Sequence, residues 1–363
     1  MKMARISRRS TRLAAGAMLA LVATMPSRAE PKPDIAKLQP GAIAISAAPI
    51  VKFDRTGDAE TTFGKLIFRG GLVLTAPGNV NFGGWSGLVL DPDAKGFASV
   101  SDSGVWLTGT LTYDSGDRLS GITGARIGPL LAQDGQPLKR GRDRDGEALA
   151  LVSGSARTGS ALVSFEQNAR IARYDISPNG FSSSLGFLPK PKKTQAMRRN
   201  NGLEAMTVMR GGPYKGAAVA MSERLLDRSR NHTGWIWTGS EPQDFHLTNI
   251  GDFDVTDIAS QEDGTLFVLV RRFRWLDGVK MRLRRINAAD LEPGKTADGE
   301  ILIEANLENE IDNMEGLALT RSASGETIIT MISDDNFNHF LQRTVLLQFA
   351  LAATQTVKAR PQQ

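Results

Sequence analysis

The chain has 363 residues, 41% hydrophobic and 23% charged, the balance of a globular protein rather than of a disordered chain. It has no cysteine, which excludes disulfides, thiolate nucleophiles and cysteine-based zinc sites. The formal charge of +5 belongs to the first segment: residues 1–29 hold six Lys or Arg and no acid, so the remainder carries −1 and gives no global support for a nucleic-acid or anionic-membrane partner.

In chain order, the first element is a targeting segment. Lys2, Arg5, Arg8, Arg9 and Arg12 precede an apolar run over 13–25, which is too short to span a bilayer. Ser27-Arg28-Ala29 then offers small residues before a cut, so 1–29 reads as a signal peptide rather than a buried helix. Ser7-Arg8-Arg9 and the charge of Arg28 point to twin-arginine export, although Thr11 stands where a bulky apolar residue is usual. The expected protein is periplasmic or secreted, with no membrane span once the signal is removed.

The segment 30–64 contributes to closure of the fold, and the main domain runs over 65–351, followed by a tail at 352–363. Within that domain short fragments recur around Gly87, Glu147, Glu204, Asp257 and Glu315, at steps of 60, 57, 53 and 58 residues. A near-constant period of this size marks a repeat architecture. Each fragment opens an apolar stretch, followed by a turn and a second stretch at 96–100, 161–165, 217–221, 266–270 and 327–332. Third strands are predicted at 105–113, 171–176, 235–238, 281–286 and 345–351, and fourth strands at 125–130, 183–188, 245–250 and 301–305.

The 37 glycines fall in short turn-like clusters, as many tight turns require. The fold class is therefore all-β, a β-propeller of five or six four-stranded blades closed by an N-terminal strand. Either 65–74 or 43–53 supplies the strand that the fifth repeat lacks, and two such strands leave room for a sixth, degenerate blade. A β-sandwich explains the strands but not the period.

A second polar position closes the second strand of each repeat: Asp102, Glu166, Glu223, Arg271 and Asp334. Glu147 and Glu166, Glu204 and Glu223, and Glu315 and Asp334 are each 19 residues apart. In an antiparallel hairpin the start of one strand lies beside the end of the next. Both positions of every blade then fall at one mouth of the central channel. Several carboxylates that close call for cations. Glu147, Glu204, Glu315, Asp334 and Asp335 are the candidate ligands of a hard ion such as Ca²⁺, with Asn201, Asn313 and Asn336 adding neutral oxygens. Glu166 and Glu223 are ligands or general bases.

Arg170, Arg224, Arg271 and Arg343 are the candidate substrate-binding cations, and Arg suits phosphate oxygens. The basic loops at 139–144, 190–193 and 198–199 approach the same mouth, unless they are solvated faces. A serine triad is disfavoured, because Gly84-Trp85-Ser86-Gly87-Leu88 ends in Leu where a nucleophile elbow needs Gly.

The same fragments carry a resemblance. Phe82-Gly83-Gly84-Trp85-Ser86-Gly87-Leu88, Ser101-Asp102-Ser103-Gly104, Asp145-Gly146-Glu147-Ala148-Leu149, Asn201-Gly202-Leu203-Glu204-Ala205, Asp312-Asn313-Met314-Glu315-Gly316 and Ser333-Asp334-Asp335-Asn336-Phe337 resemble the phytase-like, esterase-like family of exported bacterial propellers. The resemblance spans about 65–351 and implies a propeller with an export signal. Three functions follow as expectations: a Ca²⁺-dependent hydrolase of small phosphate esters, a carboxyl-ester or lactone hydrolase with a similar metal, and a binding or scaffold propeller whose metal is structural.

Overall fold

The structure, a computed structural model, describes residues 33–57, 60–139, 141–191 and 202–352. The predicted signal peptide, Asn201, the basic pairs at 192–193 and 198–199, and all but the first residue of the C-terminal tail lie outside them.

Five sheets form the blades of a β-propeller. Blade 1 runs outward from Trp85–Leu90 through Gly96–Ser101 and Val105–Tyr113 to Leu119–Pro129. Blade 2 consists of Gly146–Gly154, Gly159–Phe165, Arg170–Ser177 and the short Gly180–Phe181. Blade 3 consists of Leu203–Val208, Ala218–Leu226, His232–Trp237 and Gln243–Leu247, with Thr296–Ala297 parallel on its edge. Blade 4 consists of Asp254–Ser260, Leu266–Arg274, Gly278–Ile286 and Glu300–Asn306.

Blade 5 settles the count at five. Its first three strands are Asn313–Arg321, Thr327–Asp334 and Thr344–Leu351, and the N-terminal strand Leu66–Thr75 pairs antiparallel with the third. Ser46–Ile50 then adds to the outer edge of Leu66–Thr75 in the same sheet, with Ala47 opposite Leu74. Both N-terminal strands are thus used in one blade, and no material is left for a sixth. Gly41–Ala42 pairs instead with the outer strand of blade 1, so the segment 41–50 bridges the seam between the first and last blades.

The predicted fourth strand at 183–188 is not a regular strand. Gly186 adopts φ +118, and the Ser182 hydroxyl donates to the carbonyl of Ser183, competing with the ladder. The segment still follows its neighbour, because Leu185 and Leu188 donate to the carbonyls of Arg173 and Ile171.

Apolar side chains collect into five clusters, each lying between two neighbouring blades. The innermost strands are sandwiched on both faces, which is why Trp85–Leu90 and Leu203–Val208 are buried at every residue. Outer strands meet solvent on one side, as Glu300–Asn306 does, with Ile301 and Glu304 exposed and Leu302, Ile303 and Ala305 buried. Burying each large apolar side chain contributes roughly 1.5–3 kcal/mol, so the five seams supply most of the driving force. The innermost strands approach so closely that some positions admit no side chain. A Cβ at Gly87 would lie 2.5 Å from the backbone nitrogen of Leu149 in blade 2.

Candidate metal centre at the channel mouth

The innermost strand of every blade carries a β-bulge near its start, where one extra residue interrupts the ladder with the second strand. The bulged residues are Ser86, Glu147, Glu204, Thr256 and Glu315. A bulge re-aims its side chain, and three of these five are glutamates. The residue two positions earlier faces the end of the second strand: Gly84 with Asp102, Asp145 with Glu166, Gly202 with Glu223, Asp254 with Arg271, and Asn313 with Asp334. Three rings of five positions therefore stack at one mouth.

This register shifts two positions of the sequence alignment by one residue: Ser86 and Thr256, not Gly87 and Asp257, occupy the first ring. Asp257 is instead a tie between blades. Its carboxylate is 1% exposed and accepts from the backbone nitrogens of Ile258 at 2.8 Å and of Leu317 in blade 5 at 2.7 Å. Burial keeps its pKa well above the ordinary range despite these donors. Asp257→Ala orphans both amides, and a loss of about 2 kcal/mol in unfolding free energy is expected from denaturant titration.

At the centre of the mouth two carboxylate triads form and share one residue. Oxygens of Asp145, Glu147 and Glu166 lie within 4.8 Å of one another, and so do those of Glu166, Glu204 and Glu223. Ca²⁺ holds oxygens at about 2.3–2.6 Å, so two of its ligands can lie up to about 5 Å apart. The donor set and its spacing fit a hard cation.

The chain's similarity to known proteins agrees with this reading of the repeats. The family model described as phytase-like, esterase-like activity of phytase, matches residues 80–337. The chain belongs to the phytase-like family. No curated protein matches the sequence.

The phytase-like mouth is acidic well beyond what its cations offset. Burial raises Glu147 and Glu204 well above the ordinary carboxylate range, and the next contribution is a neighbouring glutamate in each case. Asp102 and Glu166 are pushed up to about 7 by burial and then by the charge of Asp145. Glu223 also reaches about 7 through burial, with Arg224 pulling it down and Asp254 pushing it up. The counter-charges are Arg271 and Arg224, together with Arg170, whose charge lowers the pKa of Asp145. Arg271 donates from Nε to Glu315 Oε1 at 2.8 Å and stands 4.0 Å from Glu223, linking blades 3, 4 and 5. Arg224 pairs with Asp254 at 2.5 Å and stands 3.6 Å from Glu223.

The remaining predicted residues are placed differently. Glu315 enters the mouth through Arg271 and through the Asn313 amide, which donates to it at 2.9 Å. Asp334 faces Asp102 and Glu315, and burial raises its pKa well above the ordinary range. Asp335 has both oxygens committed to the wall: Oδ1 accepts from the nitrogens of Gly84 and Phe337, and Oδ2 from Thr344 Oγ1 at 2.8 Å.

Arg170 lies over the Phe165 ring at 3.9 Å and donates to the Asp143 carbonyl, so it latches the loop that enters blade 2. Arg343 pairs with Glu310 at 2.9 Å. Of the basic loop at 139–144, Arg144 folds back onto the carbonyls of Leu138 and Lys139.

Sequence reasoning passed over Asp145 and Asp254. Both stand two residues before the bulge in their blades, so the repeat register itself is the signal that finds them.

Proposed function

We propose that the chain is an exported hydrolase of small phosphate esters that works with Ca²⁺ at the carboxylate mouth. The observation that carries this reading is the pair of triads sharing Glu166. Asp145, Glu147, Glu204 and Glu223 are the other residues that would hold the ion. Bound Ca²⁺ would polarise phosphoryl oxygens and favour deprotonation of a water. Glu166, just beyond the second strand of blade 2, or Glu223, within that of blade 3, would take a proton from that water where it is not itself holding the ion. Arg271 and Arg224 keep part of the charge balanced, so the mouth admits an anionic substrate only once a cation is present. Family membership supports ester hydrolysis as the reaction class, and the predicted signal peptide at 1–29 supports export through the twin-arginine route to the periplasm or beyond.

The test is hydrolysis of p-nitrophenyl phosphate, bis-p-nitrophenyl phosphate and p-nitrophenyl acetate, with chelator and with added Ca²⁺. Phosphate-ester turnover that needs Ca²⁺ and falls about a hundredfold in Glu204→Gln is expected. Turnover of the acetate alone would move the protein to the carboxyl-ester class. Ca²⁺ stabilisation with no turnover of any ester would make the propeller a binding or scaffold module.

A further inference from the structure

The four most exposed large apolar side chains among the described residues are Leu276 at 93%, Trp275 and Phe340 at 89% and Leu341 at 72%. They occupy two places only. Trp275 and Leu276 form the turn between the second and third strands of blade 4, and Phe340 and Leu341 lie in the corresponding connection of blade 5. Second strands end at the mouth in every blade, so both connections stand on the mouth face, on adjacent blades.

The blade 4 hairpin is tall. Beyond Arg271, which marks the rim of the acidic rings, its ladder continues through Arg272 opposite Lys280, Phe273 opposite Val279, and Arg274 opposite Gly278. Three further residues at about 3.3 Å each lift the tip roughly 10 Å above the rim. Exposed apolar groups gathered in this way mark a membrane or protein interaction site, and the charge beside them bears on which.

The charge around the tips is opposite to that inside the mouth. The two neighbouring connections, 225–231 in blade 3 and 272–280 in blade 4, hold five Lys or Arg against two Asp, and Asp252 pairs with Arg230 and with Arg274 at 3.7 Å. Carboxylates converge inward, while Arg228, Arg230, Arg274 and Lys280 lie in the connections of the mouth face near the blade 4 tip. Trp and Leu flanked by Arg and Lys match the headgroup layer of an anionic bilayer, where the rings bury at the acyl boundary and the cations meet phosphate.

We propose that the mouth face docks on an anionic lipid surface, with Trp275, Leu276, Phe340 and Leu341 inserted and the carboxylate mouth turned toward the headgroups. Docking does not depend on which reaction the mouth performs, and its test uses no turnover. Trp275 is a built-in reporter, because the other four tryptophans, at positions 85, 106, 235 and 237, are at most 8% exposed.

The purified chain is mixed with vesicles of phosphatidylglycerol and phosphatidylcholine, or of phosphatidylcholine alone, and followed by co-sedimentation and tryptophan emission. Sedimentation with the anionic vesicles and a blue shift of emission are expected. Trp275→Ser combined with Phe340→Ser should weaken binding at least tenfold without moving the thermal midpoint, since both side chains are exposed. Arg274→Gln combined with Lys280→Gln should weaken binding to the anionic vesicles and flatten its salt dependence. Absence of binding to either vesicle, or undiminished binding by the serine variant, overturns the proposal. So does a lipid-free dimer that the serine variant converts to monomer, which would make a second copy the occupant.

Discussion

Arg271→Met is expected to destabilise the metal-free protein by about 3–5 kcal/mol, the cost of leaving buried carboxylates without their counter-charge. At this chain length roughly 2 °C of midpoint accompanies each kcal/mol, so the thermal midpoint should fall by about 6–10 °C. Methionine keeps most of the volume and removes the guanidinium. Glu315 then loses its 2.8 Å donor, Glu223 loses a cation 4.0 Å away, and Glu204 loses the cation that pulls its pKa down. The control is Arg271→Met with Glu315→Gln, which removes one of the stranded charges and should recover a large part of the loss. Added Ca²⁺ should also offset the single variant, because one cation replaces another. A change below about 1 kcal/mol in Arg271→Met would show that Arg271 is not the counter-charge of the mouth.

The second large effect is the dependence of stability on pH without metal. Asp102, Glu166 and Glu223 have folded-state pKa values near 7, against ordinary values of 3.8 for Asp and 4.5 for Glu. Between those values the folded state binds more protons than the unfolded chain, so stability falls as pH rises. The contribution is fully present below about pH 4 and is lost as pH climbs through 7. Glu147, Glu204 and Asp334 shift in the same direction and extend the loss above 7. In chelator, the thermal midpoint should therefore be higher at pH 5 than at pH 8, the reverse of ordinary acid denaturation. Saturating Ca²⁺ at pH 8 should remove the deficit, because it holds the carboxylates in the ionised form; a concentration a hundredfold above Kd contributes about 2.7 kcal/mol. A midpoint that rises from pH 5 to pH 8 in chelator would contradict the unbalanced mouth.

The fold was legible because the period and the second-strand positions are properties of the chain itself. Glu147 with Glu166, and Glu204 with Glu223, sit at equal spacing because each hairpin has the same length. What spacing alone does not carry is the bulge. The extra residue at Ser86 and at Thr256 moves the ring position by one, and Gly87 and Asp257 look equivalent to Glu147 only until the ladder register is known. Asp335 shows a second limit. It sits beside a ring residue in sequence, yet its carboxylate faces the Gly84 and Phe337 amides and braces the seam between blades 5 and 1. Arg170 shows a third, since stacking on Phe165 is a contact that no linear pattern encodes. The blade count had the same character: two strand-like segments preceded the first repeat, and only their pairing with each other placed both in blade 5.

The measurement that bears most directly on the mouth as a hard-cation site is a calorimetric titration of Ca²⁺ into chelator-stripped protein at pH 7, in two buffers of different ionisation enthalpy. Ligand carboxylates that are partly protonated near pH 7 must give up those protons to the buffer when the ion binds. The predicted result is saturable binding with release of at least about one proton per chain, lost in Glu166→Gln combined with Glu204→Gln. Absence of binding, or binding without proton release that the double variant leaves unchanged, would contradict a site built from the shared triads.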